Sequence, residues 1–342
     1  MTKSSTLRLR FPFGQTLLLA FLILVLLSAL LEVAARQFLD DYPTAIGSAN
    51  LDLDVKIYAL DQLVAEKGRV DCIFFGSSVV LNGIDPDRFA LTYREQTGED
   101  LICYNFGMLA LTARTAGVLS EILIERYHPR LLVYGLTIRD LAAGASDANR
   151  IYQDVTRTPW IRYQRGEFDV EGWLADHSHA YRHYLAYRSW ISPTFASRLS
   201  DFTDAPPSGY VPFHATRALD WNQIEAPLYF EHFEIDPADW QGFEQLLATA
   251  GTQLVLLEMP LPSQLLAKFS GGAEAYAASI DSFAAAAAAK QVPLWTTTHL
   301  NLIPDEDWAE DAHHLNNAGA QIFSAWLAEY LAQAVEHGQL RF

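Results

Sequence analysis

Basic residues are scarce in this sequence. Its 342 residues include 24 Lys and Arg against 41 Asp and Glu, which gives a formal net charge of −17 at pH 7. This balance argues against a nucleic-acid partner, because binding to phosphates needs clustered lysine and arginine. Half of the residues are hydrophobic, so the chain can bury a full core. We therefore expect one large domain with an elaborated insertion, not a disordered protein.

Cysteine is also scarce, at two residues. Three histidines, His177, His179 and His183, stand close together in the sequence and suggest a metal site. No cysteine and no evident set of carboxylates completes a zinc shell around them. We therefore predict neither a metal nor a cofactor, and we interpret the three histidines as a solvated cluster or as part of a substrate groove.

Charged residues are absent from residues 11–31, which are almost continuously aliphatic. About 20 such residues span a ~30 Å hydrocarbon core, so the stretch is long enough to cross a membrane. We favour an uncleaved signal anchor over residues 11–35, and a signal peptide cleaved near residues 33–35 is the alternative. Lysine and arginine precede the segment and acidic residues follow it, at Lys3, Arg8, Arg10, Glu32, Asp40 and Asp41. This asymmetry places residues 1–10 in the cytoplasm and the rest of the protein outside it, in the periplasm or at the cell surface.

Five short, nearly continuous apolar runs follow the anchor, as is typical of strands covered on both faces. They occupy residues 70–75, 101–106, 130–136, 253–259 and 292–297. Helical patterns lie between several of these runs, and an apolar stripe at residues 322–331 marks the last helix. The alternation predicts an α/β fold, a three-layer flavodoxin-like sandwich around a mostly parallel five-stranded sheet.

Small or polar residues follow three of the predicted strands. They are Gly76-Ser77-Ser78, Asn105-Phe106-Gly107 and Gly135 with the residues after it. In parallel sheets, ligands bind beyond the carboxyl ends of the strands, so these three ends should converge on one crevice.

A candidate base stands near the C-terminus, where Asp311 and His314 are separated by two residues just before the last helix. The carboxylate can accept the hydrogen bond of the imidazole Nδ1, so that Nε2 faces a nucleophile. The spacing by itself is weak evidence, because solvated helix starts favour both residue types.

In this order, the blocks at the three strand ends and the Asp-x-x-His-Leu-Asn block resemble the motifs of SGNH, or GDSL-like, hydrolases. The resemblance covers residues 70–335, and it is greatest to the membrane-anchored, extracytoplasmic branch with DltD-like and alginate O-acetylation proteins. It implies that Ser78 is the nucleophile, with Ser77 where the family has aspartate. It also implies an oxyanion hole from the backbone N–H groups of Ser78 and Gly107, and Asp311 and His314 as the acid–base pair.

The third block departs from the family, because Arg139 precedes Asp140 where the family has an asparagine of the oxyanion hole. Two interpretations remain open. Arg139 can donate to an oxyanion or hold a substrate carboxylate or phosphate, or it can form a salt bridge with Asp140 or another acid. Asn105 is a further candidate for substrate binding.

These residues predict a membrane-anchored, extracytoplasmic serine esterase or O-acyltransferase. The resemblance implies that it acts on acyl esters, such as acetyl esters, of a cell-envelope polysaccharide or a lipid-linked polymer. A multi-spanning membrane O-acyltransferase is the implied partner, besides the lipid bilayer. The alternative is a catalytically silent binding or scaffold domain of the same fold.

An insertion is predicted at residues 141–233, within a domain over residues 70–335. Residues 36–69 would be a membrane-proximal linker or helix, and residues 336–342 a tail. The insertion carries Trp160, Tyr163, Trp173, Tyr184, Tyr187, Trp190 and Trp221. Such aromatic residues can stack on sugar rings, but large aromatic residues are more often buried, so we favour a core role for most of them.

The two cysteines, Cys72 and Cys103, stand four residues before Gly76 and Gly107. Equal spacing predicts that they lie side by side on neighbouring strands. Adjacent strands are only ~4.8 Å apart, whereas a disulfide prefers a Cα separation of about 5.5 to 6 Å. We therefore predict two buried free thiols.

Overall fold

The sheet has five strands, all parallel. In a computed structural model that describes residues 13–39, 42–188, 206–213, 219–249 and 253–340, the strands are Cys72–Gly76 (β1), Cys103–Gly107 (β2), Leu131–Leu136 (β3), Gln253–Glu258 (β4) and Leu294–Trp295 (β5). Their order is β2-β1-β3-β4-β5. The predicted fold class and all five strand positions are confirmed, although β5 has only two residues. Pro293 directly precedes β5, and its lack of an N–H group limits the ladder there.

Helices cover both faces of the sheet. The α-helices are Phe13–Phe38 (α1), Leu51–Lys67 (α2), Ser78–Gly83 (α3), Pro86–Thr97 (α4), Ala113–Tyr127 (α5), Ala148–Thr156 (α6), Pro159–Gln164 (α7), Val170–His177 (α8), His179–Tyr187 (α9), Leu228–Glu231 (α10), Pro237–Leu247 (α11), Ser263–Leu266 (α12), Gly272–Ala289 (α13) and Asn317–Glu336 (α14). Short 3-10 helices occupy Ile138–Leu141, Trp221–Gln223, Thr298–Leu300 and Asp305–Asp307.

Alternate residues of each strand enter two separate cores, since successive side chains of a strand point to opposite faces. Ile73 and Phe75 of β1 pack in one core with residues of α2, α5, α11 and α13. Phe74 packs in the other core with residues of α4 and α14. The sheet is therefore the middle of three layers.

The register brings the predicted strand ends into one row. Gly76 of β1 pairs with Gly107 of β2 on one side and with Gly135 of β3 on the other. Helix α3 lies directly on this row, because a Cβ atom at Gly135 would overlap Val80 and one at Gly107 would overlap the backbone of Leu81. The small residues therefore allow the close approach of α3, whose first residue is Ser78.

Helix α1 is 26 residues long, and within the described part of the chain it is the helix long and apolar enough to cross a membrane. Its apolar side chains are exposed up to Leu31. The flanking charges at Lys3, Arg8, Arg10, Asp40 and Asp41 lie outside the described residues, so the orientation of the anchor stays a prediction.

The aromatic residues of the insertion divide between core and surface. Trp160 is fully buried, and Tyr187 and Trp221 pack against the two cores. Trp173 and Tyr184 are exposed, and Trp190 lies outside the described residues. The predicted core role therefore holds for part of the set.

The two cysteines form a disulfide, so the prediction of free thiols is wrong. The predicted register is right, since Cys72 pairs with Cys103 across β1 and β2. Their Cα atoms are 4.6 Å apart. This separation is shorter than the preferred value but still inside the range that disulfides occupy, about 4.4 to 6.8 Å.

Thiol titration of the denatured, unreduced protein should therefore detect no thiol, and reduction should release two. Replacing both cysteines with alanine should lower the free energy of unfolding by about 2 to 4 kcal/mol, because the bond restricts the unfolded chain. Reduced wild-type protein, unfolded in the same denaturant series, is the control for loss of the bond without loss of the side chains. Two thiols that titrate before reduction would contradict the assignment.

Candidate active site

Ser78 lies at the junction between β1 and α3, at the carboxyl edge of the sheet. The strand order reverses between β1 and β3, and crevices at such a reversal are the usual ligand sites of open α/β sheets. Ser77, the preceding residue, has extended backbone at the N-cap of α3 and is buried. The hydroxyl of Ser78, not that of Ser77, contacts the acid–base pair described next.

His314 and Asp311 lie in the loop before α14. The Nδ1–H group of His314 donates to Asp311 Oδ2 at 2.6 Å, and Asp311 Oδ1 accepts the backbone N–H of His314 at 3.0 Å. The loop is closed by a hydrogen bond from the Ala309 N–H to the His314 carbonyl, at 2.8 Å. Burial alone would raise the pKa of the Asp311 carboxyl, but the hydrogen bond from His314 and the charge of both neighbouring histidines hold it well below its usual range.

The imidazole of His314 links the carboxylate to the serine. His314 Nε2 is 2.8 Å from Ser78 Oγ, although the two residues are 236 positions apart. Because Nδ1 carries the proton bound to Asp311, Nε2 is left as the acceptor for the hydroxyl proton. The distance agrees with the ~3 Å expected for a serine with its general base. Catalytic roles for the three residues stay predictions.

Phe213 covers one face of this imidazole, a contact for which the sequence gives no signal. Its ring stacks on that of His314 with centroids 5.4 Å apart and planes 13° apart. Phe213 belongs to residues 206–213 of the predicted insertion, a described stretch that runs beside the edge strand β2. We call this the edge segment. Its Ser208 carbonyl accepts the Asn105 N–H at 2.8 Å, on the outer edge of β2.

A buried lysine holds the edge segment against the sheet. Lys56 of α2 donates from Nζ to the Asn105 carbonyl at 2.8 Å and to the Gly209 carbonyl. Further along, Asn82 of α3 donates to the Val211 carbonyl at 2.8 Å. Burial lowers the pKa of Lys56 to about 7, although the negative charge of Asp52 acts to raise it. The lysine therefore links the insertion to the scaffold that carries Ser78.

Asn105 and Gly107 hold the scaffold together. Asn105 is fully buried, and its Nδ2 donates to the carbonyls of Val80 and Ile84 at 2.8 and 2.6 Å. Its Oδ1 accepts the Gly107 N–H at 2.8 Å. Asn105 therefore faces α3 instead of a substrate, and the Gly107 N–H proposed for the oxyanion hole is already bonded. A role of Gly107 in an oxyanion hole would require that bond to be exchanged.

A cavity of about 340 Å³ opens beside Ser78. Its wall is largely apolar, and the lining residues are Ser77, Ser78, Val79, Ala110, Thr137, Ile138, Arg139, Ser146, Pro227, Tyr229, Phe230, Leu261, Leu265 and His313. Three polar atoms of residues in this wall, Ser77 Oγ, Thr137 Oγ1 and Arg139 Nη1, are buried without a hydrogen-bond partner among the described residues. Unpaired buried donors are costly, so the cavity is suited to a ligand with hydrogen-bond acceptors.

Arg139 lines this cavity instead of pairing with Asp140. Its Nη2 donates to the Ser146 carbonyl at 2.7 Å. Asp140 is fully buried and accepts the Thr137 N–H at 2.9 Å, and burial raises its pKa to about 7. Arg139 Nη1 and Asp140 Oδ1 both lack a hydrogen-bond partner among the described residues, and contact of Arg139 with a ligand stays a prediction.

The histidines His313, His177 and His183 occupy different environments. His313 lines the cavity, and burial together with the charge of His314 lowers its pKa to about 4. Ligand atoms of Asp311, His313 and His314 lie within 4.8 Å of one another, but a metal there would displace the hydrogen bond that orients His314. His177 stacks on Trp173, whereas His183 Nδ1–H donates to the Pro43 carbonyl, so these rings have separate partners.

No family model matches this sequence, and no curated protein matches it significantly. Among solved structures, it is similar to a lipase/acylhydrolase from Enterococcus faecalis, with 12% sequence identity and a TM-score of 0.35. The similarity covers 77% of this chain and 96% of that one. At this identity and TM-score, the likeness carries no information about activity.

Replacing Ser78 or His314 with alanine should each remove most ester turnover, and the double variant should lose little more, because members of a triad act as a unit. Ser77→Ala is the matched control, since it removes a neighbouring hydroxyl that does not contact His314. Rates of hydrolysis of a chromogenic ester measure the three effects. Turnover that survives Ser78→Ala but not Ser77→Ala would show that the wrong serine has been assigned.

Lys56→Met should flatten the pH dependence of stability. A lysine has a pKa of about 10.4 in an unfolded chain, so between pH 7 and 10 the unfolded state binds more protons at Lys56. The wild-type free energy of unfolding should therefore rise with pH over this window, by about 3 kcal/mol from this residue at 1.36 kcal/mol per pKa unit. Below pH 7 both states are protonated, and the contribution stays constant.

Urea unfolding at several pH values measures this slope in both proteins. Lys67→Met is the control, because Lys67 is an exposed lysine of the same helix. Equal slopes in wild type and Lys56→Met would mean that Lys56 does not titrate in this range.

Proposed function

We propose that this protein is a serine esterase or acyltransferase. The observation that carries the proposal is the chain of hydrogen bonds from Ser78 through His314 to Asp311. Ser78 lines a cavity at the carboxyl edge of the sheet. A hydroxyl, an oriented imidazole and a carboxylate in this geometry are the groups that nucleophilic acyl transfer needs. An SGNH-type assignment rests on this geometry together with the sequence motifs.

In the proposed reaction, His314 Nε2 takes the proton as Ser78 Oγ attacks the acyl carbonyl. The tetrahedral intermediate collapses when the bond to the alcohol oxygen breaks, and His314 returns the proton to the leaving alcohol. Water, or a sugar hydroxyl, then attacks the acyl-serine with His314 again as base. Hydrolysis and transfer differ only in this second acceptor.

We propose that two groups stabilise the oxyanion. The Ser78 N–H is the first of helix α3, and the first amides of a helix have no acceptor within it. Arg139 Nη1 lines the cavity without a partner, at the block where the resembled family has its asparagine. A preorganised cationic donor can stabilise the developing negative charge.

The size of the cavity suggests an acyl group longer than acetyl. Three heavy atoms would fill on the order of 90 Å³, at the ~30 Å³ that a water molecule occupies in the liquid. The cavity is several times larger, and Leu261, Leu265 and Phe230 form an apolar part of its wall. A medium acyl chain, or an acyl group together with part of its alcohol, would fill it.

Helix α1 and the disulfide support the proposed location. An apolar helix of sufficient length precedes the domain, and disulfides form in oxidising compartments outside the cytoplasm. We therefore propose a domain anchored on the outer face of a membrane, acting on esters of an envelope polysaccharide or a lipid-linked polymer. A multi-spanning O-acyltransferase is the partner we propose for the transfer reaction.

A second candidate is a binding domain without turnover. It is favoured by one observation, the bond between the Gly107 N–H and Asn105 Oδ1, which occupies a donor that the family uses for catalysis. Such a domain would bind an acyl ester in the same cavity and leave it intact.

Incubation with a fluorophosphonate probe should label Ser78, and the Ser78→Ala variant should not be labelled. Mass spectrometry of the labelled peptide identifies the serine.

Among p-nitrophenyl esters, kcat/KM should rise several-fold from acetate to butyrate or hexanoate, because a longer acyl chain fills more of the cavity. Folded protein that neither reacts with the probe nor hydrolyses any ester of the series would favour the binding domain.

Arg139→Gln, measured on the same esters, tests the oxyanion assignment. Loss of a donor to the oxyanion should lower kcat by roughly 10²- to 10³-fold on neutral and carboxylate-bearing esters alike. A loss confined to the anionic esters would instead make Arg139 a substrate-binding residue.

A further inference from the structure

The membrane-proximal end of α1 is fixed to the insertion by Glu32. Its carboxylate accepts the Ser178 hydroxyl at 2.8 Å and the backbone N–H groups of His179 and Ala180 at 3.0 and 3.2 Å. It also accepts Arg36 Nε at 2.8 Å. A carboxylate at the N-terminus of a helix satisfies free amides and complements the helix dipole, so Glu32 joins α1 to the first turn of α9.

The chain that follows α1 also contacts α9. The Ala45 N–H donates to the Arg182 carbonyl at 3.2 Å, and His183 Nδ1–H donates to the Pro43 carbonyl at 3.2 Å. Ala35 is buried, although the rest of α1 is largely exposed. Residues 32–39 and 42–45 are therefore docked along α9, where the sequence predicts the end of the anchor and a membrane-proximal linker or helix.

This docking sets the height of α9 relative to a membrane. Leu31, the last residue of the uncharged stretch, directly precedes Glu32, and one residue of a helix rises ~1.5 Å. If α1 spans a bilayer, the first turn of α9 therefore lies at the boundary between hydrocarbon and headgroups. Helix α8 ends at His177, two residues before α9 begins.

Aromatic side chains cluster at this corner between α8 and α9. Trp173 is 45% exposed, and its ring stacks on His177 with centroids 5.1 Å apart. Tyr163 meets the same imidazole edge-on at 5.8 Å. We call these three residues the corner cluster. Tryptophan and tyrosine are the residues that favour membrane interfaces, where one part of the ring is apolar and the other is hydrated.

We propose that the corner cluster lies in the headgroup region of the bilayer that α1 crosses. Helix α1 then holds the domain in one orientation relative to the membrane, as a rigid mount, instead of joining it through a flexible linker. The proposal rests on the membrane anchoring proposed above. It favours an uncleaved anchor, because cleavage near residues 33–35 would remove Glu32 and its bonds to α9. It also fixes the orientation of the domain, and with it the direction in which the cavity beside Ser78 opens.

Site-directed spin labelling tests this placement. The full-length protein is reconstituted in phosphatidylcholine–phosphatidylglycerol vesicles with one label at Trp173→Cys, and the native cysteines do not react because they are bridged. Ser282→Cys, an exposed position on α13, is the control in water, and Ala20→Cys in α1 is the control in hydrocarbon. The ratio of collisions with oxygen to collisions with a water-soluble nickel chelate should be several-fold higher at 173 than at 282, and lower than at 20.

Glu32→Ala should lower the ratio at 173 and leave that at 20 unchanged, because it releases α9 without removing α1. A wild-type ratio at 173 equal to that at 282, with position 20 in hydrocarbon, would overturn the placement of the corner cluster. Equal ratios at all three positions would overturn the membrane span on which it rests, and an unchanged ratio in Glu32→Ala would overturn the rigid mount. Ester hydrolysis in the same vesicles tests the proposed function separately.

Discussion

The close approach of helix α3 to the carboxyl edge of the sheet is the constraint on which the candidate site depends. Side chains at Gly107 and Gly135 would overlap this helix, so both positions must stay without a Cβ atom. Asn105 then holds the helix from below, through bonds to the carbonyls of Val80 and Ile84. Because α3 is fixed in this way, Ser78 at its first position has a defined place opposite the loop that carries His314.

The parts of the fold that depend on local patterns could be predicted from the sequence. The five apolar runs located all five strands, because strands buried on both faces leave a continuous apolar signal. The register followed from equal spacing of Cys72 and Cys103 before their glycines, and the pairing of the two residues confirms it. The distance between Ser78 and His314 could be anticipated because motifs at strand ends meet at one edge of a parallel sheet.

Features that depend on long-range contacts could not be predicted. Phe213 belongs to a stretch with an irregular pattern, and its position on His314 is set by Lys56 and Asn82, neither of which stands out in the sequence. The docking of Glu32 on α9 joins residues 146 positions apart and carries no local signature. The prediction of free thiols is wrong for a different reason, because the Cα separation of 4.6 Å is below the preferred value but inside the range that disulfides occupy.

The disulfide has a consequence for the order in which the site is assembled. It joins residues 31 positions apart and closes a loop around β1, α3 and α4, which contains the serine. The histidine and the aspartate come from the last 32 residues of the chain, just before the helix that packs on α4. During synthesis, the segment that carries the proposed nucleophile can thus be covalently closed long before the proposed base emerges. The hydroxyl of Ser78 meets His314 only when the C-terminal helix docks, so in a nascent or truncated chain the proposed nucleophile lacks the proposed base.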